Sequence, residues 1–168
     1  MDRPPLAEEI QDYAQNIVDT VRDAKSGDLR YVSAGHLGPV HLPRNAELVI
    51  LESVGSPIGL ADDAYEERSL QLGTGDRSYL YPDGVPGAMD SNSKAFGEAQ
   101  LLSTIREGQS ELLGEHLTNL AEAILRWRGL EKRQDDISIL AVEFSVSAKV
   151  GRDRGSTFSA ATCEDELK

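Results

Sequence analysis

The chain is short of cysteine, aromatic residues, long apolar runs and positive charge, and each shortage excludes something. One cysteine, Cys163, stands among 168 residues. That excludes an intramolecular disulfide and a cysteine-built zinc site. Aromatics make up 5% of the chain, so the core must be mainly aliphatic. No apolar run approaches the ~18 residues of a membrane-crossing helix. The opening Met-Asp-Arg-Pro-Pro lacks the apolar stretch of a signal peptide, so a cytoplasmic protein is expected. Lysine and arginine number 17 against 29 acidic residues, a formal net charge of −12. Such a surface repels nucleic acid and anionic membrane, and neither is expected as a partner. There is no P-loop and no GxGxxG. Ser33 has no nucleophile elbow around it, so a Ser-His-Asp hydrolase is unsupported.

What is present suits one domain with a real core: 168 residues, 39% of them hydrophobic. Leu6, Ile10, Tyr13, Ala14, Ile17 and Val18 recur at helical spacing, although 16–22 also reads as a strand. A helix and then a strand is the favoured order, with a hairpin turn at 23–28. Strands are expected at 29–33, 40–42, 46–51, 65–72 and 77–81. Helices are expected at 97–107 and 110–129. The second carries a stripe of Leu112, Leu113, His116, Leu117, Leu120, Ala123, Ile124 and Trp127. A strand at 137–144 closes the sheet. Residues 145–168 hold four basic and four acidic residues with few large apolar ones, and a disordered tail is expected there. Strands first, a helical pair next and one closing strand make an α+β fold.

Two carboxylates have settings that suit a metal ligand. Asp83 follows an apolar strand in Tyr81-Pro-Asp-Gly-Val85, with Gly84 free to let the backbone turn sharply. The plain alternative is that Pro-Asp-Gly is an ordinary turn former. Asp135 and Asp136 precede the 137–144 strand. Adjacent carboxylates repel unless a cation or donors compensate, and strand alternation lets at most one face a given site. The plain alternative there is a solvated loop. His36, in Ala34-Gly-His36, reads first as a turn residue. His41 and His116 read as structural.

The ordered set is more specific than any one motif. Leu29-Arg-Tyr-Val-Ser-Ala-Gly-His36, Gly55-Ser-Pro-Ile-Gly-Leu60, Gly75-Asp-Arg77, Tyr81-Pro-Asp-Gly-Val85, Phe96-Gly97 and Asp135-Asp-Ile-Ser138 follow one another in register. Together they resemble the SpoIIE-like, sigma-factor regulatory branch of the PPM metal-dependent protein serine/threonine phosphatases. The resemblance runs from about residue 23 to 144, within a partial domain spanning 1–144. It implies a sandwich of antiparallel sheets flanked by helices, with a Mn²⁺ or Mg²⁺ site at one end. It implies Asp83 and Asp135 as metal ligands, with Gly84, Asp136 and His36 beside them. It also implies a metal-activated water attacking phosphoserine or phosphothreonine. The implied substrate is a phosphorylated anti-sigma-factor antagonist of the STAS type.

One departure qualifies the resemblance. The family carries an earlier Gly-Asp-Val-x-Gly-His-Gly segment whose aspartate bridges two metals, and this sequence has none. Gly27-Asp28-Leu29 is a hairpin turn instead. The chain therefore reads as the later part of a phosphatase domain or as one that has lost part of its site. The expectation is weak ion binding and impaired catalysis. The rival reading is an inactive module that binds a STAS-type partner without hydrolysis, and a third is a fragment without independent function.

Overall fold

The structure is a computed structural model that describes residues 17–23, 27–35, 37–53, 55–56, 64–129, 138–147 and 155–164. Among the described residues, eight strands fall into two antiparallel sheets. β1 (Ile17–Asp23), β2 (Asp28–Ala34) and β5 (Arg68–Gln71) form a three-stranded sheet in the order β1-β2-β5. β3 (Val40–Leu42), β4 (Val49–Ile50), β6 (Arg77–Leu80), β7 (Ser138–Ser147) and β8 (Gly155–Glu164) form a five-stranded sheet, β4-β3-β6-β7-β8. Between β6 and β7 run two helices, α1 (Glu98–Glu107) and α2 (Leu113–Arg128), joined by a 3-10 turn at Gly108–Ser110. The α+β reading holds. Of the helical spacing read over 6–18, residues 6–16 lie outside the described residues, while Ile17 and Val18 belong to β1, in line with the strand reading of 16–22.

Alternation decides what each face of the five-stranded sheet meets. Cross-strand pairs Val40↔Tyr79↔Ala141 and Leu42↔Arg77↔Glu143 put these residues on one face, toward the helices. There Val40, Leu42, Tyr79, Ile139 and Ala141 join Leu101, Ile105, Leu117, Leu120 and Ile124 in the main core. The opposite face carries His41, Ser78 and Val142. On β7, two residues past Val142 on this face, Phe144 packs with Leu29 and Leu70 of the smaller sheet and with Leu72 just after β5. Backbone bonds continue the β6–β7 pairing into the turn before β6, with Gly75 N donating to Phe144 O at 2.7 Å and Phe144 N to Asp76 O at 3.0 Å.

α2 buries Leu113, His116, Leu117, Leu120, Ala121, Ile124 and Arg128. Fully burying one such Leu or Ile contributes about 1.5–3 kcal/mol. Leu112 departs from the expected stripe. It occupies the N-cap with extended backbone, φ −62° and ψ 141°, and is 71% exposed. The stripe begins one residue later because only helical residues share its periodicity.

The expected disordered tail is corrected. β7 continues to Ser147, and 155–164 form β8, paired with β7 over ten residues from Ser138↔Glu164 to Ser147↔Gly155. Composition misled because large apolar residues are few. Thr157, Phe158 and Thr162 are nonetheless strand formers, and β8 satisfies the backbone groups of a β7 edge that would otherwise be open.

Candidate active-site end

Sequence order and antiparallel pairing bring four chain segments to one end of the larger sheet. β3 begins there, paired Val40↔Tyr79, and β6 leaves there. β7 enters there, paired Leu80↔Leu140. The end of β2 is tied to the same place, since Gly35 N donates to Gly55 O at 3.1 Å and Leu51 N to Pro39 O at 2.8 Å. Gly38 permits this closeness: a Cβ there would lie 1.7 Å from Leu51 O.

Asp83 sits at this end, in an exposed turn just beyond β6. Its position is fixed from both sides. Tyr81 and Val85 are buried in the main core, Val85 N donates to Pro82 O at 3.1 Å, and Gly87 N donates to Asp83 O at 2.9 Å. Burial pushes the Tyr81 phenol up to about 12, and the Glu98 carboxylate adds to that shift, so Tyr81 stays neutral and anchored. Gly84 is not among the residues of positive φ. The turn therefore does not need glycine there for its backbone angle, contrary to the expectation from sequence. Next to this end, Ser33 Oγ and Ser53 Oγ are 2.9 Å apart. Arg68 bonds Glu52 at 2.9 Å and Glu66 at 3.3 Å, clasping the ends of the 52–67 connection.

His36, Asp135 and Asp136 lie outside the described residues. Among the described residues no group of three His, Cys, Asp or Glu side chains could hold a metal ion. Of the two expected ligands only Asp83 is among the described residues, and an ion bound through one carboxylate would take most of its octahedral oxygen coordination from water.

The other titratable clusters are buried structure. His41 Nε2 lies 3.6 Å from Asp76 Oδ2, and Ser78 is directly across the strand pair. This Ser-His-Asp grouping is at most 9% exposed at each residue, so no substrate reaches it. On the helix side Arg77 donates to Glu143 Oε2 at 2.7 Å, Gly108 O at 3.1 Å and Glu111 O at 2.6 Å. Sequence reading missed this network by treating 77–81 simply as an apolar strand. The signal was there: Arg77 and Tyr79, two apart, share the face toward the helices.

The family model for stage II sporulation protein E (SpoIIE) matches residues 13–145. The chain belongs to the SpoIIE family. Its fold is that of the PPM-type phosphatase domains, as two solved structures show. The RsbU and RsbW domains of Rv1364c from Mycobacterium tuberculosis superpose with a TM-score of 0.59 at 25% identity, over 69% of this chain and 32% of that one. The SiaA-PP2C domain of Pseudomonas aeruginosa superposes with a TM-score of 0.63 at 22% identity, over 71% and 48%. This SpoIIE-family chain thus spans less than half the length of either relative. No curated protein sequence matches it. Among the described residues no helix is long and apolar enough to cross a membrane.

Proposed function

We propose that this SpoIIE-family domain serves a bacterial, cytoplasmic partner-switching pathway. Its substrate or partner is a phosphorylated anti-sigma-factor antagonist of the STAS type. Asp83 and Asp135 are the ligands of one loosely held Mn²⁺ or Mg²⁺, with Gly84, Asp136 and His36 flanking them. The observation that carries this reading is the β6–β7 register. The strands are antiparallel and paired Leu80↔Leu140, so the exit of β6 and the entrance of β7 meet at one end. Asp83 lies three residues after β6 and Asp135 three residues before β7. About fifty residues of intervening sequence are thereby compatible with a shared ion.

Oxygen-only donors suit Mg²⁺ or Mn²⁺ rather than zinc. The chain's sequence has no Gly-Asp-Val-x-Gly-His-Gly segment, so it contributes no bridging carboxylate of its own. Turnover by this chain alone is accordingly expected to be very low, even with abundant Mn²⁺. That absence also favours the second reading, a phosphatase-like module that binds its STAS-type partner without hydrolysing it.

Two measurements separate these outcomes. Mn²⁺ titration by calorimetry should show weak binding that Asp83→Ala and Asp135→Ala each reduce. Phosphate release from phosphoserine peptides should be near background. Supplying the Gly-Asp segment on a longer chain should restore turnover. Robust turnover abolished by Asp83→Ala would show that the chain already holds a complete site. Mn²⁺ binding indifferent to both substitutions would overturn the ligand assignment.

A further inference from the structure

An open apolar groove of about 560 Å³ lies between β4 and α1. One wall is Leu48, Val49 and Ile50. Val49 and Ile50 are 49% and 41% exposed, although both are large and apolar. The other wall is the outer side of α1, where Ala99, Leu102, Ser103 and Arg106 keep the i, i+3, i+4, i+7 spacing of one helix face. The inner side of α1, Leu101 and Ile105, is fully buried, whereas Leu48 and Leu102 reach the core only in part. Contiguous exposed apolar surface of this kind marks interaction sites, as single exposed residues do not. Charge frames the groove. The rows of its helical wall run Glu98-Leu102-Arg106 and Ala99-Ser103-Glu107, so a carboxylate stands at each end. Arg106 is the lone cation of the lining, and Glu47 holds it at 2.8 Å. Glu107 accepts from Ser103 Oγ at 3.0 Å. Among the described residues neither Glu107 nor Glu98 pairs with a cation.

We propose that this groove docks an amphipathic helix of another protein, apolar along one face and carrying lysine or arginine at both ends of that face. A helix suits it better than a strand. β4 has two residues, too few to template strand addition. Ala99 and Ser103, small and four apart, let a second helix lie close along α1. From Glu98 to Glu107 the wall is about 14 Å long by the helical rise, room for an apolar i, i+3, i+4, i+7 set. The cations of the docked helix answer the two end carboxylates and the chain's net charge of −12. That charge also decides against this chain as its own occupant. A second copy is repelled as a whole. Residues 1–16 have apolar residues at helical spacing, but Glu8, Glu9 and Asp12 among them are of the wrong sign. Docking here involves neither Asp83 nor Asp135, so its test is separate from that of the metal site.

Fluorescence anisotropy with the full chain tests this. The probe is a labelled synthetic helix of about 18 residues, with leucine at i, i+3, i+4 and i+7 and lysine flanking that face. It should bind saturably. The same residues reordered to spread the leucines around the helix should bind at least about tenfold more weakly, the loss expected when a buried anchor is missing. Ala99→Arg, which puts a bulky cation on the exposed wall, should weaken the ordered probe by as much. Ile50→Lys on the opposite wall is a second, independent block. Glu98→Lys with Glu107→Lys should exchange the preference, so that a probe with glutamate in place of lysine binds instead. Circular dichroism melts like the parent's show that each variant is folded. Ordered and reordered probes that bind alike would reduce the attraction to bulk charge and overturn the proposal. So would binding indifferent to both Ala99→Arg and Ile50→Lys. A peptide of residues 1–16 that displaces the probe, or a dimer that Ala99→Arg dissolves, would assign the groove to this chain itself and overturn it as well.

Discussion

His116 and Gly108 show how tightly single residues constrain this chain. His116 is buried on the inner face of α2, its ring edge-on to Tyr79 at 5.8 Å. A Cβ on Gly108 would lie 1.5 Å from His116 Nδ1. Gly108→Ala therefore forces the imidazole or the interhelical turn to move, and it should cost about 1–3 kcal/mol in urea unfolding. Burial holds the imidazoles of His41 and His116 below the usual histidine range. The nearby Arg77 adds to the shift at His116, while Glu111 there and Asp76 at His41 oppose it. The sign follows from proton uptake. Unfolded histidines protonate near about pH 6.5, whereas the folded ones resist, so acid favours the unfolded chain. Stability should be fully present above that pH and fall below it, by at most about 1.4 kcal/mol per pH unit for each histidine. Unfolding at pH 7.5 and 5.5 checks this, with His116→Gln expected to flatten the dependence. A slope identical in the two proteins would exclude His116 as its source.

At the scale of elements, Arg77 is the tie between sheet and helices. Its three bonds reach β7 and the turn between α1 and α2. Arg77→Met should leave two carbonyls and the Glu143 carboxylate without this donor, at a cost of about 2–4 kcal/mol. Thermal melts should show the loss, and Glu143→Gln should cost less, because Glu143 is 30% exposed and can turn to water. A second clasp holds the loop before α1. Trp127 Nε1 donates to Lys94 O at 3.1 Å, Lys94 Nζ lies 5.3 Å from the indole centroid, and Phe96 meets the same ring at 5.8 Å. This fastens the segment following Asp83 to α2, so a loosened α2 would also loosen the turn that positions the carboxylate.

For the whole molecule, β8 changes where the domain ends. The reading from composition placed the boundary at 144, yet β7 and β8 extend beyond it as a ten-residue pair. A chain cut after residue 147 leaves β7 as a bare edge. It should melt at lower temperature and aggregate more readily than the full chain, as gel filtration and turbidity would show. Equal stability of the two would mean that β8 adds nothing to the fold. Integrity at this scale also bears on activity, because the end that carries Asp83 is assembled from β2, β3, β6 and β7 together.

The sequence by itself determined the pattern of elements. Period-two runs at 29–33, 40–42 and 77–81 became β2, β3 and β6, and the period-3.6 stripe from Leu113 to Ile124 became α2. These are local properties, and burial on one face follows directly from them. The ordered motifs likewise identified the family before any contact was known. Tertiary structure alone decided three things. It placed Arg77 against the helical turn, a contact thirty-odd residues distant that no local pattern encodes. It made 155–164 a strand, because β7 supplies a partner that composition cannot reveal. And it set Asp83 at the sheet end into which β7 enters, because register between distant strands is fixed by the packing of both faces and not by either strand alone.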